Sequence, residues 1–284
     1  MKKTIILTAF CSLLTINANA SDCNQAKKEY ETGLKAGRAN DWESAKQALI
    51  KSTQVCNSFN AWYLLGQVYT KLKNYDDALS TFEDSRKYAK NDNERALAMA
   101  RYAEIQASQG EIQRPLSMIH EARKMHSNPP KWMTMLAMNL DEKRMTQPLT
   151  VAEVTRGLTN KSIRLFNQNA RPSVNVNINF KSNSVDIVKT SYQALDVLAE
   201  ALADRSLASK TITIIGYTDE RGTENYNMDL SVKRAKHIEE ELISRNPVLN
   251  GKLSIVGKGE SNPLYKGDDE NSFRFNRRVE LQVN

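Results

Sequence analysis

The residues best suited to ligand chemistry in this chain are Asp219 and Arg234, which flank the junction of a strand and a helix. Ile212 and Ile214 alternate with threonine and predict a strand that ends just before Asp219. Ser231 is predicted to cap the following helix, which would place Arg234 in its first turn. The two charges would then face one small cleft. There the carboxylate suits an ammonium group, while the guanidinium and the helix N-terminus suit a carboxylate, so the pair fits a zwitterion.

Several separated motifs around this pair occur in a fixed order. They are Phe180 to Ile187, Gly216-Tyr217-Thr218-Asp219 with Gly222, Asn227, Leu230-Ser231 with Arg234-Ala235, Gly257 to Pro263, and Asn276 to Glu280. Together they resemble the OmpA-like peptidoglycan-binding domain, the family that includes the C-terminal part of OmpA, Pal and MotB. The resemblance covers roughly residues 173–284.

The resemblance implies a non-catalytic module that grips the diaminopimelate of the peptidoglycan stem peptide. It assigns the ligand's ammonium group to Asp219 and its carboxylate to Arg234. It also implies that further residues lie at the ligand, namely Thr218, Asn227, Leu230 and Arg277, with Asn183 in the loop after the first strand. One position departs from the family pattern. Tyr217 stands where the family usually has histidine, which leaves both gripping charges in place and alters the local hydrogen bonding.

A structural alternative stays open, because Asp219 and Arg234 could instead pair with each other and only stabilise the fold. An enzyme is not predicted. The histidines lie in helical stretches without partners at metal-ligand spacing, and no nucleophile–histidine arrangement is evident. The segment 257–259 lacks the serine or threonine and the helix of a phosphate loop. No catalytic residue, metal or cofactor is therefore expected.

The first 20 residues have the features of a signal peptide. Lys2 and Lys3 precede an apolar stretch, and residues 18–20 form an Ala-x-Ala cleavage site. Neither Cys11 nor Cys23 follows the small residues that lipidation needs. No second long apolar run follows, so we expect a mature chain without a transmembrane segment. Together with the resemblance, export predicts a Gram-negative periplasmic protein associated with peptidoglycan. A position close to the outer membrane is compatible with this prediction.

The net charge of +7 would fall to +5 once Lys2 and Lys3 are removed. Acidic runs such as residues 239–241 are interspersed among the basic residues. This pattern indicates a solvated surface of mixed charge rather than a nucleic-acid-binding protein.

Residues 21–145 are predicted to form an all-α repeat domain, because a pattern of small and large residues recurs at a fixed interval. The repeated positions are Gly33, Trp42, Ala45 and Leu49, followed by Gly66, Tyr75, Ala78 and Phe82. The pattern resembles the tetratricopeptide (TPR) repeat. A third, weaker copy follows, and residues 132–145 are predicted to be a capping helix. Such an array offers a concave face to another envelope protein, although it could also serve only as a spacer.

Two cysteines remain after signal cleavage, Cys23 and Cys56. An even pair in an oxidising compartment is most simply a disulfide, with two buried free thiols as the alternative. Cys23 would begin the first helix and Cys56 would end the second. Those two ends meet in an antiparallel pair.

The predicted fold is therefore α+β with two domains. Residues 146–172 are interpreted as a linker with some order, including a possible helix at 151–158. The C-terminal domain, 173–284, is predicted to follow the order β-α-β-α-β-β, with one mixed sheet covered by two helices on one face. The predicted function is a peptidoglycan-binding protein that presents its TPR-like region as a platform.

Overall fold

The computed structural model describes residues 20–181 and 184–284. The predicted signal peptide lies outside these residues apart from its last position, and so does Asn183. Among the described helices, none is long and apolar enough to cross a membrane.

The N-terminal part consists of helices that pack in consecutive pairs, which confirms the predicted repeat. The helices are α1 (Ala20–Arg38), α2 (Trp42–Val55), α3 (Phe59–Lys71), α4 (Tyr75–Lys87), α5 (Asp92–Ser108), α6 (Gln113–Met125) and α7 (Lys131–Thr146). Their ends are encoded locally. Side chains of Asp41, Ser58 and Asn91 accept hydrogen bonds from the first turns of α2, α3 and α5. Asn40 and Lys73 take the left-handed conformation at equivalent turns within the first two pairs.

The repeated glycines allow the two helices of a pair to approach closely. A Cβ atom on Gly66 would lie 2.8 Å from the ring of Phe82, and one on Gly33 would lie 2.7 Å from Leu49. Phe82 and Leu49 are fully buried, as are the small residues Ala45 and Ala78. The sequence pattern of the repeat therefore encodes the contact between paired helices.

We expect Gly66→Ala to destabilise the helical array by about 1–3 kcal/mol, because the added methyl group overpacks a buried ring. Gly37→Ala is the matched control. Its Cβ would have no neighbour closer than Trp42 at 3.8 Å, so the usual helix preference for alanine should stabilise the chain by about 0.5–1 kcal/mol. Chemical denaturation of both variants measures the two effects. Equal shifts of the same sign would contradict the packing interpretation.

The disulfide prediction is confirmed. Cys23 lies in the first turn of α1, and Cys56 is the C-cap residue directly after α2. The two Cα atoms are 5.1 Å apart and the sulfur atoms are bonded. The bridge therefore joins the start of the first helix to the end of the second.

The C-terminal part is a mixed four-stranded sheet with helices, as predicted, and a further short helix, absent from the predicted order, lies between the last two strands. Its elements are β1 (Ser173–Val176), α10 (Tyr192–Leu202), β2 (Ile212–Gly216), α11 (Glu224–Arg245), β3 (Leu253–Gly257), α12 (Glu270–Asn276) and β4 (Val279–Val283). The strand order is β1-β4-β2-β3. β4 runs antiparallel to both β1 and β2, and β3 runs parallel to β2. The last strand of the chain therefore lies inside the sheet, between two strands formed much earlier in the sequence.

The two faces of this sheet differ in chemistry because side chains alternate along each strand. One face buries apolar residues such as Val174, Ile214 and Leu281 against α10 and α11. The opposite face carries polar residues and packs partly against the helical array through α6 and β1. There the Arg123 guanidinium donates to the Leu264 carbonyl oxygen at 2.8 Å, and the Tyr265 hydroxyl donates to Asp141 at 2.6 Å.

The segment between the two parts, 146–172, contains α8 (Val151–Leu158) and α9 (Ser162–Phe166). Val154 and Leu158 belong to the core of the sheet domain. Ile163 and Phe166 belong to the core of the helical array. The segment thus joins the two parts by packing as well as by the chain, and the exact domain boundaries stay a prediction.

Candidate functional site

The site begins where β2 meets α11 at close range. A Cβ atom on Gly216 would lie 2.4 Å from the carbonyl oxygen of Ser231, so only glycine allows this approach. The chain then turns away from the sheet. Its amide groups are held by neighbouring segments, with Tyr217 donating to the Arg278 carbonyl oxygen (3.0 Å) and Thr218 to that of Gly259 (2.8 Å). The loop that carries Asp219 is therefore fixed from two sides.

The predicted start of the helix was wrong. Helix α11 begins at Glu224, and Thr223 is its N-cap, with a side chain that accepts from the Tyr226 amide. Ser231 lies inside the helix and is fully buried, where its hydroxyl donates to the Met228 carbonyl oxygen. Arg234 consequently lies well beyond the first turn. The helix N-terminus cannot assist it in binding a carboxylate, because this effect is confined to the first turn.

Asp219 is buried and surrounded by arginines. Its Oδ2 accepts from Arg221 Nη2 and from Arg277 Nη1, both at 2.6 Å, and its Oδ1 accepts from the Arg221 amide at 3.1 Å. Burial by itself would raise the pKa of Asp219, but the hydrogen bonds from Arg221 and Arg277 outweigh it and hold the pKa below its usual value. The carboxylate is therefore charged at neutral pH. Oδ1 keeps accepting capacity for another donor.

Arg234 is half-buried on the facing helix. Its Nε donates to the Ser184 carbonyl oxygen at 3.2 Å, and its guanidinium lies 4.7 Å from the ring centroid of Phe180. Burial lowers the pKa of Arg234, which nevertheless remains far above neutrality. In the described part of the chain, no carboxylate lies within ion-pair distance of Arg234, and Asp219 pairs only with Arg221 and Arg277. A direct Asp219–Arg234 ion pair is thus not formed.

The predicted site residues with described positions line one cleft of about 670 Å³. They are Thr218, Asp219, Asn227, Leu230, Arg234 and Arg277. Asn183 lies outside the described residues. The volume of the cleft is within the range of small-ligand sites, and charged side chains of both signs converge in it.

Asn227 has a supporting position in this cleft. It is buried, and its amide nitrogen donates to Glu260 at 2.6 Å and to the carbonyl oxygens of Asp219 and Arg221 at 3.3 Å. These bonds tie the loop of Asp219 to α11. Asn227 therefore positions the carboxylate, in addition to lining the cleft.

Sequence reasoning did not assign several residues that line the cleft, among them Phe180, Arg221, Glu270 and Arg274. Glu270 bridges Arg221 and Arg277, at 3.3 and 2.7 Å, and so completes a network with Asp219. The position of Arg221 had a local signal, because an aspartate commonly accepts from the amide two residues later. Glu270 had no such signal, because it is distant from Asp219 in the sequence and α12 comes near the cleft only in the tertiary structure.

Tyr217, the departure from the family pattern, points to the polar face of the sheet. Its hydroxyl donates to Glu280 at 3.1 Å, and the Arg278 guanidinium lies 3.6 Å from its ring centroid. All three side chains are buried. Burial, reinforced by the charge of Glu280, raises the pKa of Tyr217, so the hydroxyl stays protonated and acts as a donor.

Residues 179–277 match the family described as "OmpA family". Residues 20–85 match "Anaphase-promoting complex, cyclosome, subunit 3", a helical-repeat family. Among curated proteins, the chain is 39% identical over 103 residues to the peptidoglycan-associated lipoprotein of Pseudomonas putida, covering 36% of this chain and 60% of that protein. It is 33% identical over 107 residues to the peptidoglycan-binding protein ArfA of Mycobacterium tuberculosis, covering 38% of this chain and 32% of that protein.

A solved structure, that of the peptidoglycan-associated lipoprotein from Burkholderia pseudomallei, is 31% identical to this chain. The match covers 40% of this chain and 91% of that one, with a TM-score of 0.34. Of the curated relatives, the chain covers 60% of the length of the Pseudomonas putida protein and 32% of the mycobacterial one. The motifs, the sheet and the family match agree: residues 179–277 are an OmpA-family domain, and TPR-like helical repeats precede it.

Proposed function

We propose that this protein binds peptidoglycan without catalysis, by gripping the diaminopimelate of the stem peptide in the cleft between Asp219 and Arg234. The observation that carries the proposal is Arg234. It is a half-buried guanidinium with no carboxylate partner among the described residues, and it lines the same cleft as a buried, charged aspartate. A ligand carboxylate would give Arg234 a charge-assisted partner, and the free capacity of Asp219 Oδ1 would accept an ammonium group.

The curated relatives support the ligand class. The lipoprotein of Pseudomonas putida is named for its association with peptidoglycan, and the mycobacterial relative is named as peptidoglycan-binding. A periplasmic location of this chain, associated with peptidoglycan, follows from the same proposal. We further propose that the TPR-like array presents its concave face to another envelope protein.

The structural alternative takes a modified form. Asp219 could serve only to hold Arg221 and Arg277, since it already forms ion pairs with both. The two readings differ in their consequences. If Asp219 only stabilises the fold, replacement of Arg234 should not change ligand binding. If the two residues grip the ligand, both are needed for binding.

Sedimentation with purified sacculi tests the proposal. We expect the full chain to sediment with sacculi and to be released by a soluble stem peptide that contains diaminopimelate. A stem peptide with lysine at that position is the control. Lysine lacks the second carboxylate of diaminopimelate and so offers no partner to Arg234. The lysine peptide should therefore compete with sacculi far less well than the diaminopimelate peptide. A protein that stays in the supernatant, or that both peptides release equally, would contradict the proposal.

A further inference from the structure

We propose that the cleft at Asp219 and Arg234 continues into a second groove, which binds uncharged amide and hydroxyl groups of the same peptidoglycan fragment. This inference rests on the proposed function and adds a subsite to it. The groove lies between the end of α7 with the loop after it and the segment that follows β1. The helical part of the chain would thereby contribute directly to ligand binding.

The two depressions lie next to each other. Asn179 and Arg274 line both the main cleft and the second groove. The groove has a volume of about 410 Å³, which is room that a single amino acid held at Asp219 and Arg234 does not use. One wall includes Arg144 and Gln147, and the other includes Asn177 and Gln193. A fragment that leaves the main cleft past Arg274 therefore enters a space with walls from both parts of the protein.

The chemistry of the groove suits neutral polar groups. Its lining includes the side chains of Gln147, Asn177, Asn179, Thr190 and Gln193. Among the described residues, none of these five side chains has a hydrogen-bond partner, so their donors and acceptors are available. Within the described ranges, no carboxylate side chain lines the groove. Amides and hydroxyls bind groups of their own kind, which peptidoglycan offers both in its acetylated sugars and in its peptide backbone.

Arg144 is an anchor of the wall rather than a free cation. Its guanidinium donates to the Gln147 carbonyl oxygen and lies 3.7 Å from Glu153. It thus holds the loop after α7 against α8. Arg274 is the exposed charge where the two depressions meet.

The groove exists because the helical array is docked on the sheet. Tyr265 donates to Asp141 on α7, and Arg123 on α6 donates to the Leu264 carbonyl oxygen. These contacts are buried or partly buried, so they fix α6 and α7 relative to the sheet domain. A wall held in this way is preorganised, which lowers the entropic cost of binding. A water-filled seam between two packed parts is the competing interpretation, and the experiment separates the two.

The test is calorimetric titration of the full chain with three ligands: free diaminopimelate, a stem tetrapeptide that contains it, and the same tetrapeptide on its disaccharide. The variants are Gln147→Ala combined with Gln193→Ala, and the control is Gln54→Ala. Gln54 is an exposed glutamine on α2 that lines neither depression. All three replaced glutamines are exposed, so the fold should be retained. Melting temperatures verify this.

We expect the double variant to bind free diaminopimelate as the wild type does, and to bind a larger fragment roughly 5- to 30-fold more weakly, since two neutral hydrogen bonds are removed. A loss that already occurs with the tetrapeptide places peptide amides in the groove. A loss that needs the disaccharide places the sugars there. Both outcomes support the subsite.

Unchanged affinity of the double variant for all three ligands would overturn the subsite and leave the proposed function intact. A wild-type chain that binds neither diaminopimelate nor the tetrapeptide would overturn the proposed function itself. The two failures are therefore distinguishable within one set of titrations.

Discussion

Asp219→Ala is expected to weaken binding of a diaminopimelate-containing stem peptide roughly 10- to 100-fold, which corresponds to about 1.5–3 kcal/mol for a charge-assisted hydrogen bond. The ligand's ammonium group would lose its partner. The same change would leave Arg221 and Arg277 without their shared carboxylate. Their positive charge would then repel the ammonium group, so the effect of Asp219→Ala should lie in the upper part of this range.

Arg234→Ala is expected to cost a comparable factor, because the ligand's carboxylate loses its partner. The double variant should lose less than the sum, since both residues hold the same ligand. Amidation of the ligand's carboxylate should mimic Arg234→Ala and should cost that variant little more. Arg205→Ala, at an exposed arginine outside the cleft, is the control and should bind as the wild type does.

Titration calorimetry measures these affinities, with the melting temperature recorded for each variant. Arg234→Ala should keep a melting temperature near that of the wild type, because its polar contacts with described residues are a single hydrogen bond and a ring contact. Asp219→Ala should lower it measurably, since two arginines lose an ion pair. Undiminished binding by either folded variant would show that the cleft is not the peptidoglycan site.

Removal of the disulfide by Cys23→Ser with Cys56→Ser is expected to destabilise the first helix pair by about 4 kcal/mol. The chain-entropy estimate gives this value for a bridge between residues separated by 33 positions. The first pair depends on the bridge because the apolar cluster that it shares with α3 is small. The buried apolar members of that cluster are Ala45, Leu49, Leu65 and Val68.

Chemical denaturation with and without reductant measures this effect. Reductant should lower the wild-type midpoint to that of the double variant and should leave the variant unchanged. Hydrogen exchange should show that the loss of protection is greatest in α1 and α2, because a helical array transmits stability mainly between neighbouring repeats. A variant with the midpoint of the oxidised wild type would contradict a stabilising role for the bridge.

The sequence by itself determined the features that depend on local patterns. The repeat of small and large residues indicated the paired helices, because a small residue on one helix contacts a large residue on its partner. The strand of β2 and the motif after it identified Asp219, and the helical spacing placed Arg234 on the facing helix. Those two residues do line one cleft. The cysteine pair was predictable because its members stand at helix ends that meet.

Local pattern was insufficient for the start of α11. Residues 224–230 are mostly polar, so apolar periodicity gave no signal for the first two turns of the helix. The cap at Thr223 decides the start instead, through its bond from Tyr226. Contrary to the prediction from the sequence, the helix N-terminus therefore does not help Arg234 to bind a carboxylate.

Only the tertiary structure decided how distant segments meet. β4 enters the sheet between β1 and β2, which brings Arg277 to Asp219 and Glu280 to Tyr217. The docking of α6 and α7 on the polar face likewise joins residues far apart in sequence. Periodicity specifies which side of an element is apolar. It does not specify which element lies opposite, because that depends on the strand order and on packing between whole segments.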